Sequence, residues 1–167
     1  FAQGPVSLVA VLKRFTDSVR QLTSDPTQSA GTSYMTSSTK GRVSRELHDH
    51  VMLIGLDRVA KRNAFDLDLL NQLSLAYGEF ERDDQARVAV VFAHGEHFTA
   101  GLDLAEAGPA LINGWQVPEG GCDPWGVFAG PRVSKPVIIA AQGYCLTMGI
   151  ELMLVSDINL CAINTRF

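Results

Sequence analysis

The stretch Lys135-Pro-Val-Ile-Ile-Ala-Ala-Gln-Gly-Tyr-Cys-Leu-Thr-Met-Gly-Ile-Glu-Leu-Met-Leu-Val-Ser-Asp-Ile158 decides how this chain folds. Val137 to Ala141 is short and wholly apolar, the composition of a strand buried on both faces. Small residues around Gly143 make a turn. Thr147 to Val155 has helical character, and Ile158 to Ala162 is a strand again. Strand, turn, helix, strand is one unit of an α/β fold with parallel pairing.

Toward the N-terminus the same grammar repeats. Arg87 to Phe92 is a strand, followed by a loop from His94 to Gly101 and a short helix from Asp103, a good N-cap residue. Residues 113–134 hold Gly, Pro and Trp without periodicity and read as a long loop. Leu69, Leu70, Leu73, Ala76, Tyr77 and Phe80 recur at spacings of three and four, which predicts an amphipathic helix over 66–82. Asp66 and Asp68 fall in its first turn, where the helix dipole favours anions. Val51 to Leu56 is a buried strand.

Before residue 51 the composition changes. Residues 1–50 carry 14 Ser and Thr, and the remaining 117 carry six. The first segment has a net charge of +2 and the rest −6. A Ser/Thr-rich stretch with Pro26, Gly31 and Gly41 has little to bury, so 1–50 is expected to be mobile and 51–167 to form the domain. Met35 is read as a native start. Residues 1–34 would then be upstream translation, a tag or a targeting sequence. Lys13, Arg14 and Arg20 suit a transit peptide, while Asp17 and Asp25 count against one. A cytoplasmic protein is expected, or one of an organelle matrix if 1–34 is a transit segment.

With 167 residues, 46% of them hydrophobic and 19% charged, the chain has the material for one packed domain. Its net charge of −4 argues against a nucleic-acid partner. No apolar run is long enough to cross a bilayer, so no membrane partner is expected. Cys122, Cys145 and Cys161 have no CxxC spacing and read as free thiols. His94-Gly-Glu-His97 fits no zinc motif and reads as surface loop, so no metal is expected.

Two stretches carry the chemistry: His97-Phe-Thr-Ala-Gly-Leu-Asp-Leu104 and Gly143-Tyr-Cys-Leu-Thr-Met-Gly-Ile-Glu-Leu152. Each leads from a strand through a small-residue turn into a helix start, where backbone N–H groups are left unpaired. Two such starts facing each other can aim two donors at one oxygen, which is an oxyanion hole.

With Leu56-Asp-Arg-Val-Ala-Lys-Arg-Asn-Ala64, these motifs resemble, in the same order, the N-terminal part of the crotonase (enoyl-CoA hydratase/isomerase) superfamily. The resemblance runs from Val51 to Phe167. It implies an α/β spiral of repeated ββα units, truncated here before its last part and C-terminal helices. It also implies a homo-oligomer, commonly a trimer, that binds acyl thioesters of coenzyme A. Coenzyme A would arrive as part of the substrate, with no other cofactor.

By position, the resemblance makes the N–H groups of Leu102 and Met148 the holders of the thioester oxygen, although the family usually has Gly where Met148 stands. Glu151 matches the first of two hydratase glutamates, and its apolar neighbours Ile150 and Leu152 suggest a buried carboxylate. The second would follow beyond Phe167. Arg58, Lys61 and Arg62 are candidates for the coenzyme A phosphates, since three cations on one loop suit a polyanion. Asn63 and Ala64 would shape that loop. Ala100, Gly101, Asp103, Leu104, Tyr144, Leu146 and Gly149 complete the substrate-binding set. Asp103 is read chiefly as a helix cap, and Trp115 and Trp125 as pocket wall or packing. The activity expected is enoyl-CoA hydration. Enoyl-CoA isomerisation, related thioester chemistry and acyl-CoA binding without turnover are the alternatives.

Overall fold

The computed structural model describes residues 40–167. Five strands form one sheet in the order β1 (Arg42–His48), β2 (Val51–Asp57), β3 (Val88–Ala93), β4 (Val137–Ala141) and β5 (Ile158–Cys161). β1 runs antiparallel to β2, and all later pairs are parallel. Parallel neighbours need crossovers, and these hold α1 (Leu67–Arg82), α2 (Gly108–Ile112) and α3 (Met148–Val155).

β1 corrects one expectation. Residues 42–48 fall in the polar segment read as mobile, yet they pair along their whole length with β2, from Arg42 opposite Asp57 to His48 opposite Val51. Among them only Val43 is buried. An edge strand with one solvated face needs few apolar residues, so composition hides it. A two-residue turn, with Asp49 at φ +53°, joins it to β2. The remainder of the segment, residues 1–39, and with it the reading of Met35, lies outside the described residues.

The core lies between the sheet and its helices. Ile54, Leu56, Val91 and Ile139 from the strands meet Leu69, Leu70, Leu73 and Phe80 from α1, all fully buried. Asp66 caps α1 rather than lying within its first turn; its Oδ1 accepts from Leu69 N at 2.7 Å. The short helix starts at Gly108, not at Asp103. Residues 103–107 make a turn first, and Pro109, which has no N–H to lose, sits in the opening turn of α2.

A second, shorter ladder lies beyond the ends of the parallel strands. Phe65 bridges Leu102, Thr99 bridges Cys145 and Tyr144 bridges Arg166, each in parallel sense. The segments after β2, β3, β4 and β5 are thus stitched in the same order as the strands. Strand, bridge residue and helix recur along the chain, which is the expected ββα repeat.

Candidate active site

The two motif stretches meet in this second ladder. Thr99 N donates to Tyr144 O at 2.9 Å, and Leu146 N donates to Thr99 O at 3.1 Å. From that bridge each chain runs three residues to a residue with a free donor: Leu102 on one side, Met148 on the other. Among the described residues, neither N–H donates a hydrogen bond, while their neighbours are engaged. Asp103 N goes to Phe65 O at 2.9 Å and Gly149 N to Leu146 O at 2.9 Å.

Both turns share a further property. The residue before each donor has a left-handed backbone: Gly101 at φ +93° and Thr147 at φ +42°. The two pack on each other. A Cβ on Gly101 would collide with Thr147 Oγ1 and come within 3.4 Å of Leu146 O. Gly149 is also small by necessity, since its Cβ would lie 2.5 Å from Thr99 Cγ2.

The supports beneath the donors are buried. Trp125 Nε1 donates to Met148 O at 3.0 Å, and the Trp125 ring meets Phe65 edge-on at 5.5 Å. Trp125 and Trp115 are therefore packing residues; Trp115 Nε1 donates to Asn71 Oδ1. The loop that holds them is irregular, as expected, but tightly bonded. Asp123 accepts from Trp125 N and Phe128 N, and Cys122 N donates to Ser74 O.

Glu151 lies three residues beyond Met148 on α3 and is exposed, which corrects the expectation of a buried carboxylate. The apolar residues around it do not cover it. Leu152 points into the core and Leu154 and Val155 are themselves exposed. Leu104 is 75% exposed.

Arg58 corrects another expectation. Its side chain is fully buried; Nε lies 2.9 Å from Asp66 Oδ2 and Nη1 lies 2.8 Å from Asp103 Oδ2. Nη1 also donates to Ala64 O, and Nη2 lies 3.3 Å from Glu106 Oε1. A guanidinium shared among three carboxylates inside the fold is not presented to a phosphate. Asp103 is accordingly an ion-pair partner as well as a turn former, and the Arg58 hydrogen bond holds its carboxyl below the usual range.

Lys61 and Arg62 do reach the surface. Arg62 borders a cleft of about 470 Å³ with Val59, Ala60, Asn63, His94, Glu96 and His97. Asn63 is buried and builds this cleft. It accepts from Arg58 N and donates to the carbonyls of His94 and His97. Tyr144 stacks on His97 at 4.4 Å, and the Arg62 guanidinium lies 5.8 Å from the Tyr144 ring centre. His97 Nδ1 accepts from Tyr144 N, and His94 Nε2 pairs with Ser44 Oγ at 2.8 Å. Both histidines, read as free surface loop, are tie points. Their spacing gave no sign of it, because their partners come from distant segments. Ala100 N donates to Arg62 O, which ties the cleft to the donor turns.

Known proteins resemble this chain in sequence and in fold. Residues 46–167 match the family model described as enoyl-CoA hydratase/isomerase. A mevalonyl-coenzyme A hydratase of Beauveria bassiana is 33% identical over 125 residues, which cover 71% of this chain and 45% of that protein. A carnitinyl-CoA dehydratase of Escherichia coli K12 is 36% identical over 122 residues, 70% of this chain and 44% of the other. The crystal structure of a probable enoyl-CoA hydratase/isomerase from Mycobacterium abscessus superposes with a TM-score of 0.70 at 44% identity, covering 74% of this chain and 48% of that one. This chain spans somewhat under half the length of the curated relatives it matches.

Proposed function

Since the chain belongs to the enoyl-CoA hydratase/isomerase family, we propose that it carries the thioester-activating part of an enoyl-CoA hydratase site. The N–H groups of Leu102 and Met148 hold the thioester oxygen of a 2-enoyl-CoA. They polarise the carbonyl and stabilise the enolate that forms when water adds across the Cα=Cβ double bond. In a site closed to water one such donor typically contributes about 3 kcal/mol to lowering the barrier. Glu151 is one acid–base group, binding the attacking water or passing a proton to Cα. Coenzyme A enters as part of the substrate. Lys61 and Arg62 attract its phosphates at the rim of the cleft.

The observation that carries this reading is the pair of unbonded N–H groups, each three residues from the Thr99–Cys145 bridge and each set by a left-handed residue. The full fold is proposed to work as a homo-oligomer. Apolar side chains at Leu154, Val155 and Ile158 stay exposed in the single chain, which supports an additional packing partner.

A second reading is favoured by the exposure of Glu151: this chain binds acyl-CoA without turning it over. One experiment separates the two. Calorimetric titration with a saturated acyl-CoA should show saturable binding, weakened in the Lys61→Gln/Arg62→Gln variant. Hydration of a 2-enoyl-CoA should then be lost in Glu151→Gln with binding kept. Binding with no hydration in the unmodified chain favours the second reading, and no binding at all rejects both.

A further inference from the structure

Thr147 has a backbone that a β-branched residue rarely adopts, with φ +42° and ψ −105°. Such a conformation persists only where surrounding structure enforces it. It stands at the N-cap position of α3, where Thr commonly bonds the helix N–H groups, yet its side chain makes no capping bond. The residue therefore does not occupy this place as a cap.

Its surroundings give another role. The peptide between Thr147 and Met148 carries the Met148 donor, so the torsions of Thr147 aim that N–H. The Thr147 hydroxyl lies against Gly101, in the space a side chain there would fill. Gly101 in turn precedes the Leu102 donor. One side chain thus touches the residue that aims the opposite donor while its own backbone aims the other. The two turns are held in register behind this contact by the Thr99–Cys145 bridge.

We propose that Thr147 is a positioning residue: a wedge between the two donor turns whose strained backbone and exposed side chain, set against Gly101, together fix their relative placement. The inference rests on the thioester reading above. Its role is steric, so the shape of the side chain matters and its capacity to hydrogen-bond does not. A ligand must fit between donors set by this wedge, and polarisation of its carbonyl reports their aim.

The test uses the full chain with a bound acyl-CoA whose thioester carbon carries an isotope label. Infrared spectroscopy then reads the shift of the carbonyl stretch from its value in water. Thr147→Gly relieves the strain but removes the wedge. It should melt no lower than the unmodified chain, while the carbonyl shift shrinks toward the value in water. Thr147→Val, with a methyl in the place of Oγ1, and Thr147→Ser, with Oγ kept, should both keep the shift, whereas Thr147→Ala, with neither, should lose much of it. An undiminished shift in Thr147→Gly overturns the wedge and leaves the thioester reading standing. Retention in Thr147→Ser with loss in Thr147→Val also overturns it, because the hydroxyl would then act. A labelled ligand that binds the unmodified chain with no shift overturns the thioester reading and the wedge with it.

Discussion

Arg58 and Asp103, 45 positions apart in sequence, meet at 2.8 Å between Nη1 and Oδ2, with the Arg58 side chain fully buried. The pair joins the end of β2 to the residue that follows the Leu102 donor. The same guanidinium reaches Asp66, which caps α1 and also accepts from Gly41 N at 2.7 Å. One cation therefore ties the edge segment, the first helix and the first donor turn.

Replacement of Arg58 by Ala should destabilise the chain by about 3 kcal/mol, because Asp66 would stay buried, and Asp103 partly buried, without their counter-charge. Arg58→Lys should recover only part of this, since an ammonium cannot serve the separated carboxylates as a planar fork does. Urea denaturation of the three proteins measures the order. Equal stability of Arg58→Ala and the unmodified chain would contradict the network.

Acid should weaken the fold through Asp103. Its pKa is lowered in the folded chain, first by the hydrogen bond from Arg58. The unfolded chain therefore takes up the proton at higher pH than the folded one. The stabilisation is complete above the ordinary carboxylate range and is lost as pH falls through that range toward the lowered folded value. Denaturation midpoints measured between neutral and acid pH should show a shallower acid decline in Asp103→Asn.

Gly101→Ala should cost at least about 2 kcal/mol, since Ala at φ +93° is strained and its Cβ meets Thr147. Adding Thr147→Gly removes the collision but not the strain at residue 101. The double variant should therefore be more stable than the sum of the two single effects. Strict additivity in a double-mutant cycle would show that the two side chains do not share that space.

Thiol labelling should divide the cysteines. Cys161 is exposed, whereas Cys122 and Cys145 are buried. Burial raises both buried thiols, Cys145 to about 11, so neither supplies much thiolate at neutral pH. One thiol should react quickly with a disulfide reagent in the native chain and all three after denaturation. Rapid reaction of Cys145 in the folded chain would contradict the packing of the second ladder.

Much of the parallel sheet was legible because its strands are apolar on both faces. Val51–Asp57, Val88–Ala93 and Val137–Ala141 could hardly be anything else, and α1 carries a plain helical stripe. β1 was not legible, because it buries a single residue and owes its place to the neighbour it pairs with. At the site, the two turn motifs and their order were legible. The burial of Arg58 was not, since an Arg-Lys-Arg loop looks equally cationic whether its first member points outward or inward.

The family resemblance named the two residues proposed as donors; the sequence alone determined the α/β class and the repeat of strand, turn and helix. These follow from local composition and spacing, which act within a few residues of the chain. Tertiary structure decided which cation is buried, that Glu151 stays exposed, and that Thr147 lies against Gly101. Each of these depends on segments tens of residues apart being brought into contact. The free energy of burying or pairing a group is set by those neighbours, and no local pattern of residues encodes which ones they will be.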